Sequence, residues 1–74
     1  MPSDMKTISG KQICGLLESK GWNLARVTGS HHIFVRPDSN VRITVPVHGN
    51  RDLKLGLQRA IMKLAGITEN DLCG

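Results

Sequence analysis

Three histidines are the side chains best suited to chemistry in this sequence. His31 and His32 are adjacent, directly after Gly29-Ser30, and open the run Ile33-Phe34-Val35-Arg36. His48 follows Val45-Pro46-Val47 and precedes Gly49. Imidazole is the side chain that changes protonation near neutral pH without help, so it can take a proton in one step and return it in the next. Neighbours along a strand point to opposite faces, so His31 and His32 cannot both serve one site. Neither the adjacent pair nor the spacing to His48 matches a zinc-ligand pattern, and no cysteine is close in sequence. No metal and no cofactor is therefore expected.

Proton transfer needs a substrate, and the charge pattern indicates an anionic one. Lys plus Arg number 10 against 6 Asp plus Glu, a formal charge of +4. The excess is concentrated in the middle, where Lys20, Arg26, Arg36, Arg42, Arg51, Lys54, Arg59 and Lys63 face only Asp38 and Asp52. Such a surface attracts polyanions, although the same residues also serve as an ordinary solvated surface. A chain of 74 residues is one small domain that buries about 60% of its unfolded surface. It cannot both fill its interior and wall off a large cleft, which favours a long substrate docked from outside. No apolar run approaches a membrane span and the N-terminal residues lack the apolar segment of a signal peptide, so the expected location is cytoplasmic. Cys14 falls in a helical stretch and reads as a small buried apolar side chain, Cys73 as an exposed thiol.

The elements that must hold these groups follow from periodicity. Residues 1–8 read as a flexible lead-in. Ser9 is placed to cap a helix beginning near Gly10, with Ile13, Leu16 and Leu17 on one stripe and Gly21 at its end. Gly15, inside that helix, is expected to mark a close backbone approach. Strands are expected over 22–28, 31–36 and 41–46, joined by Thr28-Gly29-Ser30 and by Pro37-Asp38-Ser39-Asn40. Val41, Ile43 and Val45 alternate with polar residues and form a core face. The second strand is apolar on both faces: either Ile33 and Val35 are buried and His31 emerges at the rim of the core, or Phe34 is buried and His31 lies on the open sheet. From Leu53 the period becomes helical, with Leu53, Leu57, Ala60, Ile61 and Leu64 as the expected stripe of a helix over 52–65 capped by Asp52 or Asn50. Residues 68–74 remain as a tail. The fold class is α+β, a two-layer α-β-β-β-α domain over 9–67 with a three-stranded antiparallel sheet and both helices on one face.

Taken together, Ser9-Gly10, Gly21-Trp22, Gly29-Ser30-His31-His32-Ile33-Phe34, Val45-Pro46-Val47-His48-Gly49-Asn50 and Ala65-Gly66-Ile67 resemble the HicA family of bacterial toxins, from about residue 8 to 67. The resemblance implies a fold like that of double-stranded RNA-binding domains, endoribonuclease activity on mRNA, a HicB-type antitoxin as partner, and a catalytic role for His31. One departure is that Gly56 is followed by Leu57-Gln58 where relatives often carry Thr-Leu.

The chemistry fits such a role, because RNA carries its own nucleophile in the 2′-hydroxyl and asks the protein only to move protons and hold the backbone. Ser30, as a donor to a phosphate oxygen, and His48, as a second proton carrier, are further catalytic candidates. Arg26, Arg36, Arg42, Lys54, Arg59 and Lys63 are the candidates for phosphate contacts. The rival readings are a non-catalytic RNA-binding module of the same fold and a protein interaction module with a basic docking face.

Overall fold

The computed structural model describes residues 6–73. Its elements run α1 (Gly10–Ser19), β1 (Asn23–Thr28), β2 (His31–Arg36), β3 (Ser39–Pro46), α2 (Leu55–Ala65) and α3 (Glu69–Cys73). The strands form one antiparallel sheet in the order β1-β2-β3. Phe34 of β2 pairs with Ile43 of β3, and His32 with Val45. Phe34, Ile43 and Val45 are buried with Ile13 and Leu17 of α1 and Ile61, Met62 and Ala65 of α2. Both long helices therefore cover the same sheet face, as expected for the α+β two-layer class, and among the described residues no element covers the other face.

Ser9 caps α1 with a complete capping box: the Gln12 N–H donates to Ser9 Oγ at 3.1 Å, and the Ser9 N–H donates to Gln12 Oε1 at 3.0 Å. Leu16 is only half-buried, so the α1 stripe is centred on Ile13 and Leu17. The close backbone approach falls at Gly10 and not at Gly15, which has open space around it. A Cβ on Gly10 would collide with the Pro46 carbonyl oxygen. The start of α1 is thus pressed against the end of β3, the place where the open face carries His31.

Three expectations for the second half of the chain need correction. The helix begins at Leu55, not at residue 52, and its N-cap is Lys54 without a side-chain cap bond. Asp52 is otherwise engaged: it forms an antiparallel bridge with Ser9, and its Oδ2 accepts from Thr7 Oγ1 at 2.9 Å. That pairing keeps 52–53 extended and delays the helix. The buried stripe of α2 is Gln58, Ile61, Met62 and Ala65, whereas Leu57 and Leu64 are 39% and 53% exposed.

Gln58 explains the rotation, because its amide clamps the incoming chain. Nε2 donates to the Lys6 carbonyl at 2.7 Å and Oε1 accepts from the Ile8 N–H at 2.9 Å. Leu53 N–H adds a bond to the Ile8 carbonyl at 2.8 Å, and Ile8 is a core residue. Of the lead-in expected over 1–8, residues 1–5 lie outside the described residues, and Ile8 is firmly held. At the other end α3 occupies the expected tail, and Leu72 packs half-buried against the core. Asp71 accepts from Thr68 N–H at 2.8 Å and pairs with Lys20 at 3.2 Å, fastening this segment to the end of α1. Cys14 is half-buried rather than sealed, and burial, aided by Glu18, pushes its thiol up to about 11. The side chain of Cys73 lies outside the described residues.

Candidate active site

His31 begins β2 immediately after the Gly29-Ser30 turn, where Gly29 takes a φ of +58° that side-chain-bearing residues rarely adopt. Because Phe34 is the buried member of β2, the alternation of the strand puts His31 on the open sheet face, exposed to solvent. His32 is half-buried on the helix side, opposite Val45. The parity left open by the sequence is therefore resolved in favour of the open face. A rigid frame surrounds the position. His31 is paired with Thr28 on one side and Pro46 on the other, and the Val47 N–H extends the ladder by donating to the Ser30 carbonyl at 2.7 Å.

The candidate cations divide into three groups. Arg26 pairs with Ile33 in the next row of the open face, which makes it the diagonal neighbour of His31, about 7–8 Å away between Cα atoms. Arg42 lies on the same face of β3 by alternation with buried Ile43, further along the strand. Arg36 is elsewhere. It pairs with Ser39 at the far end of the ribbon, about 17 Å from His31 at 3.3 Å per residue. There its guanidinium sits 5.6 Å from the centre of the Trp22 ring and 3.2 Å from Asp38. Arg59 and Lys63 are exposed on α2, outside its buried stripe. The structure does not bring these three to His31.

Lys54 and His48 belong to a third place. A pocket of about 370 Å³ opens next to Pro46, walled by Leu53 and Leu57 and rimmed by His48, Arg51, Asp52 and Lys54. His31 is not part of its lining, yet Pro46 is both its wall and the cross-strand partner of His31. The loop that presents His48 turns back through the Arg51 N–H, which donates to the His48 carbonyl at 3.1 Å. In the sequence Arg51 reads only as part of the basic middle, and Pro46 and Asp52 carry no sign of a role at this site. The pocket forms within the single span 46–57, most of which lies outside helix and strand, so no periodicity reveals it. The signal available was the clustering of charged residues directly after Val45-Pro46-Val47-His48.

Residues 10–67 match the family model described as the HicA toxin of bacterial toxin-antitoxin systems. The chain belongs to the HicA family. Comparison with curated proteins returns no match. The HicA match spans α1 through α2 and includes both the His31 corner and the Pro46 pocket. As a HicA toxin the chain is one half of a toxin-antitoxin pair. Among the described residues no helix is long and apolar enough to cross a membrane.

Proposed function

We propose that this HicA toxin is an endoribonuclease that cleaves mRNA in the cytoplasm without a metal, with His31 as general acid/base, and that a HicB-type antitoxin restrains it. The observation that carries the reading is the exposed imidazole of His31 on the uncovered sheet face, at a backbone corner fixed by Pro46 and Val47, with Arg26 diagonally beside it. Family membership supports the toxin role.

In the proposed reaction the ribose 2′-oxygen attacks the adjacent phosphorus while an imidazole accepts its proton. The bond from phosphorus to the 5′-oxygen breaks, and that oxygen leaves with a proton. The products are a 2′,3′-cyclic phosphate and a 5′-hydroxyl. Positioned proton transfer of this kind contributes about 10²- to 10⁴-fold. Arg26 and Arg42 hold the phosphates of the strand along the open face. Ser30, whose hydroxyl has no partner among the described residues, donates to a non-bridging oxygen. His48, which lines the pocket beside Pro46, is assigned as the second proton carrier. Arg36, committed to Trp22 and Asp38, has no part in the contact.

The test is to incubate the purified chain with RNA in the presence and absence of a chelator and to analyse the ends. Cleavage insensitive to the chelator, with cyclic-phosphate and 5′-hydroxyl ends, is expected. RNA that is bound but left intact would mark a non-catalytic binding module. Products with 5′-phosphate ends would exclude attack by the 2′-oxygen.

A further inference from the structure

We propose that the pocket beside Pro46 is a base-reading subsite that seats the nucleotide next to the scissile phosphate, with Asp52 selecting bases that bear an amino group over uracil. The proposal rests on the RNA-cleaving reading above and adds to it a determinant of sequence preference.

Position is the first argument. His31 and Pro46 are cross-strand partners, and neighbouring strands lie about 4.8 Å apart. A strand with its reacting phosphate at His31 therefore meets the mouth of the pocket after crossing a single β-strand. The volume of about 370 Å³ lies at the lower end of the range of about 300–1,000 Å³ typical of small-molecule sites. It suits one nucleotide rather than a long segment.

The lining is the second argument. Arg51 and Lys54 at the rim are suited to phosphate, while Pro46, Leu53 and Leu57 offer an apolar wall to the face of a base. Proteins that hold single-stranded RNA without regard to sequence usually stack its bases on aromatic rings. Here the chain has one Trp, one Phe and no Tyr, and both Trp22 and Phe34 are buried in the core. The His48 imidazole is the one aromatic ring in the lining; with neither Trp22 nor Phe34 free to stack successive bases, discrimination falls mainly to edge contacts.

Asp52 is the one acidic group in the lining and would repel a phosphate, but it accepts hydrogen bonds from donor-bearing bases. The Thr7 hydroxyl holds its Oδ2 at 2.9 Å, and its Oδ1 has no partner among the described residues. Cytosine, adenine and guanine each carry an exocyclic amino group. Uracil presents two carbonyls in addition to its single N–H, which places acceptor atoms against a carboxylate.

The proposal is tested by binding rather than cleavage, with His31→Ala protein titrated with tetracytidylate, tetraadenylate and tetrauridylate RNA while the methyl resonances of Leu53 and Leu57 are followed. The first two are expected to bind about five- to tenfold more tightly than tetrauridylate, the lower end of what one base-edge contact discriminates, and to shift both methyl sets. Adding Asp52→Asn should reduce the preference below about twofold, and adding Lys54→Ala should weaken all three RNAs alike. Equal affinity for the three RNAs, unmoved Leu53 and Leu57 methyls, or a preference that survives Asp52→Asn would overturn the subsite. If discrimination holds while the unmodified protein fails to cut RNA, the catalytic reading falls and the subsite stands. If RNA is cut but no discrimination is seen, the subsite alone falls.

Discussion

His31 and Pro46 face each other across the β2–β3 ladder, and Pro46 is in turn the residue against which Gly10 packs so closely that no side chain fits between them. The start of α1, the end of β3 and the backbone that carries His31 are therefore directly joined. A disturbance at Gly10 is expected to reach His31 by way of Pro46.

Gly10 and Gly15 lie in the same helix and predict opposite signs on substitution. Alanine in place of an interior helical glycine is favourable by about 1 kcal/mol on propensity alone. Gly15 has open space around it, so Gly15→Ala should gain about that amount. At Gly10 the added carbon meets the Pro46 carbonyl oxygen, a backbone atom that cannot swing aside. Overpacking of this kind costs about 1–3 kcal/mol, so Gly10→Ala should be destabilised in urea unfolding, with chemical shifts moving at Pro46 and His31.

Gln58 is fully buried, and both ends of its amide are used to hold Lys6 and Ile8. Gln58→Leu preserves much of the volume but removes the partner of the Ile8 N–H. A buried donor left unsatisfied costs about 1–3 kcal/mol. Urea unfolding should reveal that loss, and amide exchange at Ile8 should accelerate. Unchanged exchange would mean that the clamp does not hold the segment.

Arg26 predicts a change in salt dependence. Removing one phosphate contact lowers the slope of log affinity against log salt by about 0.7 for a single strand. Arg26→Ala should show that reduction with single-stranded RNA, whereas Arg36→Ala, which breaks a contact with Trp22 at the far end of the ribbon, should leave the slope unchanged and lower stability instead.

The hydrogen bond from Thr68 N–H, followed by the one from Lys20, holds the Asp71 carboxyl below the usual carboxylate range. A pKa lowered by folding contributes stability that is present above the unfolded value of about 3.9 and disappears as pH falls through the lower folded value. Asp71→Asn should therefore unfold at a lower temperature than the parent chain at pH 7. The gap should close as pH falls below the carboxylate range, and a gap that widened in acid would contradict the assignment.

Much of this architecture was legible in the sequence because its signals are local. Ser9 announces a cap, Val41-Arg42-Ile43-Thr44-Val45 alternates cleanly, and Gly29 and Gly66 stand where the chain turns or a helix ends. What escaped depends on contacts between distant segments. Asp52 reads as a helix cap, but its backbone pairs with Ser9 and its carboxylate accepts from Thr7. Leu57 and Leu64 read as core, yet the buried amide of Gln58 turns them outward. The face of His31 was undecidable because β2 is apolar on both sides, and only the pairing of Phe34 with Ile43 fixes it.

The most direct measurement is RNA cleavage and RNA binding by the His31→Ala variant beside the parent chain under identical conditions. The account predicts a loss of cleavage of at least about 100-fold, with the fold intact and RNA affinity nearly unchanged. Cleavage by the variant at the parent rate would contradict it.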